Sequence, residues 1–384
     1  MKNSTWLILV IAVFLFFYFL PLDNDRVHLS FMESLHLTQE YARKHVLFCL
    51  IPAFFIAGAI TSFIRKEAIL KFLGPQANKV IAYSVASISG TILAVCSCTV
   101  LPLFAGIYKR GAGIGPASAF LYSGPAINIL SIILTARVLG MEIGIARLTG
   151  AVVFSVVIGI IMELLFRNEK VPDAAEYDAS QHETARSDWV TIIYFVLMIA
   201  VLVFANWASD ERLRVWNMIY SIKWYLTLVF LGLLLLVLMK WFKKQEIKEW
   251  VNETWIFSKQ IIPLLFAGVL VSGFLFGRPG HEALIPERFI SSLVGGNSIS
   301  ANLIASVAGA LMYFATLTEV PILQGLMSAG MGKGPALALL LAGPALSLPS
   351  MIVLRSLMGT KKALTYILLV VIMSTLTGLI SGSM

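Results

Sequence analysis

A motif rich in glycine and proline occurs twice in this chain. Residues 111–125 read GAGIGPASAFLYSGP, and residues 330–344 read GMGKGPALALLLAGP. The correspondence extends outward without a gap, at a constant offset of 219, to residues 87–140 and 306–359. An apolar composition would repeat some glycines by chance, but not in the same order with the same proline partners. We therefore predict that the chain consists of two related halves.

The composition indicates a membrane protein. Of the 384 residues 58% are hydrophobic and 13% are charged, and the mean hydropathy is +0.86. Because a soluble domain of this size needs more charge to coat its surface, lipid is the expected solvent. The net charge of +8 comes from short basic clusters beside apolar stretches, a sign of membrane topology and not of nucleic-acid binding. We predict an all-α, multi-pass protein of the cell inner (cytoplasmic) membrane.

Several apolar stretches are suited to cross or enter the membrane, and we expect roughly nine to eleven membrane segments. Most are close to the roughly 20 residues that span about 30 Å of hydrocarbon. Residues 80–108 form a longer stretch that contains Pro102, so a broken or re-entrant pair of helices is expected there. The candidate segments are 6–20, 46–64, 80–108, 111–136, 148–162, 189–206, 224–239, 260–277, 297–318, 334–354 and 363–384.

The distribution of lysine and arginine predicts that the halves are inverted. Segment 65–79 holds four basic residues and one acid, whereas the equivalent segment 278–288 holds two of each. Later in the halves the bias reverses, because 137–147 has two basic residues and one acid but 355–362 has three basic residues and no acid. Since basic residues are retained on the cytoplasmic side, this pattern is typical of an inverted repeat with a cytoplasmic N-terminus.

These observations divide the chain into five parts. The N-terminal part is a helix followed by an external loop, a hydrophilic linker separates the halves, and a transmembrane hairpin precedes the second repeat. The predicted bounds are 1–45 for the N-terminal part, 46–166 for the first membrane repeat, 167–188 for the cytoplasmic linker, 189–259 for the hairpin and 260–384 for the second membrane repeat.

Two cysteines separated by one residue lie in the middle of an apolar stretch. On an α-helix Cys96 and Cys98 would point about 200° apart, whereas on unwound backbone they share a face. Pro102 predicts such a break nearby. Soft sulfur ligands favour thiophilic metal ions such as Cu(I), or metalloids, over Mg²⁺ and Ca²⁺. We predict that the pair binds a soft ligand; the alternative is that the thiols pack as small apolar groups, as expected for Cys49.

The second half has a different set of side chains at the aligned positions. Ala315 and Leu317 replace the two cysteines, and Glu319 stands where the first half has Val100. An ionisable residue inside a membrane segment is costly and suggests function. Glu319 is therefore a candidate for proton coupling or for pairing with a cation, with a structural hydrogen bond or a position near the membrane surface as the alternatives.

Each half contains a second predicted break, followed by a polar residue. In the first half this break, at Gly124 and Pro125, is followed by Asn128, which either binds substrate or makes a hydrogen bond between helices. Two broken helices related by a repeat point to a central binding site. The predicted helix-break residues are Pro102, Gly124, Pro125, Pro321, Gly343 and Pro344. The predicted substrate-binding residues are Cys96, Cys98, Thr99, Asn128, Thr318 and Ser347.

The run CSCTVLPLFAGIYKRGAGIGP at 96–116, followed by YSGPAIN at 122–128, resembles the bacterial and archaeal predicted-permease family that includes the ArsP-type organoarsenical efflux permeases. The resemblance spans roughly 45–384. It implies efflux, and for ArsP-type members it implies trivalent organoarsenicals handled by membrane cysteines, which here are Cys96 and Cys98. Other relatives with a similar pair resemble copper or zinc exporters, so the cargo stays open.

The expected function is secondary-type transport and not catalysis. The sequence at 330–334 resembles a phosphate-binding loop but lacks the following serine or threonine and the preceding strand, so no ATPase is expected. We expect no cofactor and no nucleic-acid partner; the expected partners are a small thiophilic solute and the lipid bilayer, and a homo-oligomer is left open. The alternatives are export of soft metal ions or of a sulfur-containing solute, or a membrane scaffold or sensor.

Overall fold

A computed structural model describes most of the chain, and the regular elements in that part are helices. The described residues are 18, 24–43, 46, 50–63, 72–74, 77–93, 97–167, 188–205, 207, 214–278, 281, 283–285, 293–312, 319–328 and 330–383. The one β-type contact among them is an isolated bridge between Gly295 and Met331. The prediction of an all-α chain is confirmed. Most of the predicted first helix at 6–20 and most of the predicted linker at 167–188 lie outside the described residues.

The structure describes fifteen helices. In the first half they are α1 Asp25–Tyr41, α2 Ile51–Phe63, α3 Lys79–Leu93, α4 Ser97–Lys109, α5 Ile114–Ala126, α6 Ile129–Val138 and α7 Met141–Leu165. The connecting helices are α8 Asp188–Ala205 and α9 Arg214–Trp241. The second half contains α10 Lys244–Phe276, α11 Ile299–Leu311, α12 Glu319–Ser328, α13 Lys333–Ala345, α14 Leu348–Met358 and α15 Thr360–Gly382.

The repeat is visible in the helix boundaries. Helices α5, α6 and α7 begin at 114, 129 and 141, and α13, α14 and α15 begin at 333, 348 and 360, a constant offset of 219. Gly140 and Gly359, which precede α7 and α15, have φ angles of 110° and 84°, values that glycine adopts without steric cost. The pairs α5–α6 and α13–α14 are each bent by 49°.

The two halves are inverted relative to each other. The Lys362 ammonium, at the start of α15, lies 6.0 Å from the ring centroid of Phe166, at the end of α7. Toward the other ends of these helices, a Cβ on Gly150 would lie 2.9 Å from the Thr377 side chain. The equivalent helices α7 and α15 therefore run antiparallel, which confirms the predicted inversion.

Residues 80–108 form two helical arms whose outer ends lie at the same side. Lys79 at the start of α3 and Tyr108 near the end of α4 line one cavity, so the chain enters and leaves there as predicted. In the second half, the amide of Gly332 donates a hydrogen bond to the carbonyl of Val294 at 3.2 Å, which brings together the outer ends of α11 and α12. The residues that join the arms, 94–96 and 313–318, lie outside the described residues.

Length and apolar composition qualify four described helices as membrane spans, namely α7, α10, α15 and the Asn217–Trp241 part of α9. The number rises to six if each bent pair counts as one span, and three shorter apolar helices lie beside them. Helix α10 continues without interruption for 33 residues, or about 50 Å, so the predicted boundary at 259/260 falls inside it. These findings confirm a polytopic membrane protein.

Candidate functional site

A buried ion pair joins the two halves. Arg147 Nη2, on α7, donates a hydrogen bond to Glu319 Oε1, at the first residue of α12, over 2.7 Å. The exposed fraction of the arginine side chain is 0% and that of the glutamate is 1%. Charges removed from water to this extent persist only when each is paired, because an unpaired one would carry the full desolvation penalty. The pair is therefore a buried polar link between the halves.

Hydroxyl groups of α6 complete the ion pair. Ser131 Oγ donates to Glu319 Oε1 over 2.7 Å, and Arg147 Nη1 donates to Thr135 Oγ1 over 2.8 Å. Ser131 and Thr135 are one helical turn apart, so they face the same neighbour. They lie just beyond the bend at the end of α5, where the backbone of Asn128 begins the next helix. The break thus positions α6 so that two hydroxyls meet the charges.

Two polar atoms of the ion pair have no hydrogen-bond partner among the residues that the structure describes. Glu319 Oε2 and Arg147 Nε are both buried, and neither has a hydrogen-bond partner among the described residues. Buried polar atoms are usually satisfied, and unsatisfied ones mark a place for water, a ligand or a proton. The site therefore offers one acceptor and one donor to a small polar species in the middle of the protein.

The equivalent contact in the first half has no charge. Under the offset of 219, Val100, Ser350 and Tyr366 take the places of Glu319, Ser131 and Arg147. Helix α4 packs against α14 in the same way that α12 packs against α6, so both contacts are built from a hairpin arm and the far half of a bent pair. Val100 and Tyr366 are buried. The first-half contact thus has uncharged side chains at the positions where the second-half contact has an ion pair.

The structure places several of the predicted binding residues at these two contacts. Thr99 is buried near the start of α4, and Ser347 caps α14 by accepting a hydrogen bond from the amide of Ser350 over 3.3 Å. Asn128 is buried, and its Oδ1 accepts from the amide of Ser131 at 3.4 Å. Cys96 and Thr318 lie outside the described residues, as does Cys49, and Cys98 is described only as part of α4.

The predicted break residues lie within the described helices. Pro102 is inside α4 and Pro321 is the third residue of α12, and the residues upstream of these helices, 94–96 and 313–318, are not described. The remaining four residues, Gly124, Pro125, Gly343 and Pro344, lie in the last turns of α5 and α13, and the bends follow directly. A proline is tolerated inside a membrane helix because neighbouring groups satisfy the carbonyl that it frees.

Arg147 is the residue that the sequence analysis missed. It was counted as one of the basic residues of the connection 137–147, but the structure buries it in the second turn of α7. The sequence contains one signal for the pairing: Arg147 is a lone cation beside the apolar stretch 148–162, and Glu319 is an equally isolated acid in the other half. Sequence separation hid the pairing, because the partners are 172 positions apart in the chain.

No three His, Cys, Asp or Glu side chains within the described residues come together in a way that could hold a metal ion. The predicted soft-metal ligands, Cys96 and Cys98, are not covered by this finding, because neither side chain is described.

Two inverted halves, bent helices and a central buried polar site define a membrane permease. The chain belongs to the ArsP-type predicted permease family, whose model matches residues 30–383. It is 47% identical over 347 residues to the UPF0718 protein MJ0584 of Methanocaldococcus jannaschii, covering 89% of this chain and 93% of that protein. It is 25% identical over 262 residues to the UPF0718 protein YraQ of Escherichia coli, covering 68% and 56% of the two chains. No solved structure matches the chain.

Proposed function

We propose that this chain is a secondary-type permease of the cytoplasmic membrane that exports a small thiophilic solute, with trivalent organoarsenicals as the leading class. The observation that carries the proposal is the Arg147–Glu319 pair, which links the two inverted halves at a bend. A permease that alternates between two open states needs a contact between its halves that can be made and broken. A buried pair with one unsatisfied oxygen meets that need.

The soft-ligand part of the proposal rests on the cysteine pair. Cys98 is the second residue of α4, and Cys96, two residues earlier in the sequence, lies outside the described residues. Two sulfurs at this spacing can approach one ligand where the backbone is unwound, which an uninterrupted helix does not permit. Two thiols match the two thiol-reactive valences of a monosubstituted arsenic(III) centre, and a soft metal ion is the second candidate cargo.

Glu319 supplies the proposed coupling step. A proton that binds Oε2 makes the Glu319 carboxyl group neutral. Arg147, on α7, is then no longer held against α12 by a negative charge. The halves separate at that contact, the solute leaves, and release of the proton on the opposite side restores the pair.

The non-transport alternative, a membrane scaffold or sensor, has less support. A scaffold is most stable with an apolar interface, because replacing a buried ion pair with packed apolar groups is often neutral or stabilising. Export of a sulfur-containing solute, or of copper or zinc, differs from the leading proposal only in the cargo.

The test is uptake into everted membrane vesicles of methylarsenite and, separately, of Cu(I), with and without an uncoupler. The variants are Cys96→Ser and Cys98→Ser, and the matched control is Cys49→Ser. We expect energy-dependent methylarsenite uptake that either of the first two substitutions abolishes and the control leaves intact. Uptake of neither cargo by the wild type, or equal uptake by all variants, would contradict the proposal.

A further inference from the structure

Four buried hydroxyl groups lie in two helices near the ion pair and have no role in the contacts described above. Ser118 and Tyr122 belong to α5, and Tyr366 and Ser374 belong to α15. Each of these residues has an exposed fraction of 0%, and none of their hydroxyls has a hydrogen-bond partner among the described residues. A buried hydroxyl without a partner is costly, so four of them in two helices require an explanation.

Both helices begin at a cavity of about 980 Å³, which the part of α7 from Val152 onward also lines. Ile114, the first residue of α5, and Lys362, in the first turn of α15, belong to the cavity lining. Ser118 follows Ile114 by four residues, and Tyr366 follows Lys362 by four. Residues at this spacing are neighbours on one face of a helix, so one unpartnered hydroxyl in each helix lies one turn beyond the cavity wall.

Tyr122 connects the two helices with the ion pair. Its hydroxyl lies beside Ser374, without a hydrogen bond between them, and within electrostatic range of the Arg147 guanidinium. Tyr366 is in turn within electrostatic range of Tyr122. The two atoms of the ion pair that have no partner among the described residues, Arg147 Nε and Glu319 Oε2, are buried as well. The unpartnered polar atoms therefore belong to neighbouring side chains that extend from the ion pair toward the cavity.

The serine of the first half that is equivalent to Ser374 makes hydrogen bonds within the protein. Under the offset of 219, Ser155 corresponds to Ser374 and Ser87 corresponds to Ser306. The hydroxyls of Ser155 and Ser87 are hydrogen-bonded at 2.9 Å, whereas Ser306 accepts from the Thr375 hydroxyl over 3.0 Å. The second half thus satisfies Ser306 without Ser374. A structural role shared by the two halves does not account for the Ser374 hydroxyl.

We propose that the four hydroxyls carry protons between Glu319 and the cavity. The inference rests on the coupling role proposed above for Glu319. A hydroxyl group both donates and accepts a hydrogen bond, so a series of hydroxyls can pass a proton along without holding a charge of its own. Successive hydroxyls one turn apart are separated by about 6 Å along the helix axis, a gap that a bridging water molecule closes.

The transfer moves one proton and changes no other bond. The protonated Glu319 carboxyl gives its proton from Oε2 to the first oxygen of the series, and the carboxylate forms again beside Arg147. Each oxygen of the series accepts a proton from one neighbour and gives its own to the next. One proton then leaves at the cavity, and the reverse sequence protonates Glu319 from the cavity.

The test is transport of methylarsenite and, separately, of Cu(I) in everted vesicles, measured as proton-driven accumulation and as exchange of labelled solute without a gradient. The variants that each remove one oxygen of the series are Tyr122→Phe, Tyr366→Phe and Ser374→Ala. The matched controls are Tyr194→Phe, which removes an equally buried hydroxyl on α8, and Ser155→Ala, at the equivalent serine of the first half. Glu319→Gln serves as the reference for lost coupling, and unfolding midpoints in detergent show whether each variant folds.

We expect each of the three variants to slow proton-driven accumulation by about tenfold, the factor that corresponds to one hydrogen bond lost from the transition state. Exchange without a gradient should stay at the wild-type rate, because it moves no net proton. Replacing H₂O by D₂O should slow accumulation more in the variants than in the wild type, since proton transfer then limits the rate. Both controls should behave like the wild type.

The proton path is overturned, while the coupling role of Glu319 stands, if Glu319→Gln loses accumulation but Tyr122→Phe and Ser374→Ala accumulate at the wild-type rate. Loss of exchange together with accumulation would assign the hydroxyls to solute binding and would overturn the path as well. If Tyr366→Phe does not fold, the result for Ser374→Ala decides. Wild-type accumulation by Glu319→Gln, or transport of neither cargo by the wild type, contradicts the proposed function itself and the path with it.

Discussion

The two contacts between a hairpin arm and a bent helix pair join equivalent helices but differ in charge. In one, α12 meets α6 through Glu319, Ser131 and Arg147; in the other, α4 meets α14 with Val100, Ser350 and Tyr366 in the equivalent places. The first-half hairpin carries the cysteines, and the second-half hairpin carries the charge. Duplicated halves that keep their fold while their side chains diverge can divide binding and coupling between them, and we infer that division here.

The largest expected loss of stability comes from removing one of the two charges of the ionic contact. Arg147→Met leaves the Glu319 carboxylate buried without its partner, which should cost about 3–5 kcal/mol of stability. The double variant Arg147→Met/Glu319→Leu makes this contact apolar like its counterpart and should recover most of that loss. Denaturant unfolding in detergent measures both changes.

An exposed ion pair on neighbouring helices provides the matched control. Glu142 and Lys333 form a hydrogen-bonded pair at 2.9 Å, and their side chains are 83% and 64% exposed. Solvent screens such a pair, so Lys333→Met should leave the unfolding midpoint unchanged. A single Arg147→Met variant as stable as the wild type would show that the buried pair contributes nothing, against this account.

Glycine-to-alanine substitutions at the helix crossings should lower the stability by similar amounts in both halves, whereas the polar contacts of the two halves differ. A Cβ on Gly159 would lie 2.7 Å from the Gly115 carbonyl oxygen, and a Cβ on Gly378 would lie 2.6 Å from the Gly334 carbonyl oxygen. Gly159→Ala and Gly378→Ala should therefore each destabilise by about 1–3 kcal/mol, because the backbones must move apart. Gly232→Ala, where a Cβ would meet nothing within 4 Å, is the control. Unequal losses at Gly159 and Gly378 would show that the halves diverge in packing as well as in chemistry.

The smallest effect is expected at a second ion pair, which lies outside the two contacts. Arg278 Nε donates to Glu33 Oε2 over 2.8 Å, and this hydrogen bond holds the pKa of the Glu33 carboxyl below its usual range. Because the folded-state pKa is lowered, the stabilisation is present above the unfolded pKa of about 4.3 and is lost as the pH falls through the folded value. Glu33→Gln should cost at most about 1 kcal/mol at neutral pH, since Arg278 is partly exposed.

Unfolding measured over a pH series checks this expectation. The difference between the wild type and Glu33→Gln should shrink as the pH falls below about 4. A difference that stays constant down to acidic pH would mean that Glu33 stabilises α1 by packing and not by charge.

The sequence was sufficient to predict the repeat, its inversion and the shared side of the hairpin ends. Glycines and prolines at turns and crossings are required by the backbone, so they stay recognisable in both halves, and basic residues mark the membrane side. Gly111 and Gly330, for example, have φ angles of 96° and 105° and follow α4 and α12 at equivalent places. These signals are local, and an alignment of the chain with itself brings them out.

The partner of Glu319 could not be predicted in the same way. Glu319 was a candidate because a carboxylate in an apolar segment is costly, but Arg147 looked like part of a basic connection. Which cation meets which acid depends on the packing of α7 against elements of the other half, and no periodicity encodes that contact. Pro102 lies inside α4, and the break that it predicts near Cys96 falls in part outside the described residues, so that expectation stays a prediction.

The division of substrate binding and proton coupling between the two halves can be tested directly by transport in everted vesicles, with the cargo that the wild type transports. Glu319→Gln is compared with Cys98→Ser, with Glu142→Gln as the matched control, for uphill accumulation and for exchange of labelled solute without a gradient. We expect Glu319→Gln to keep exchange but lose proton-driven accumulation, Cys98→Ser to lose both, and Glu142→Gln to keep both. Proton-driven accumulation by Glu319→Gln at the wild-type level would contradict this division.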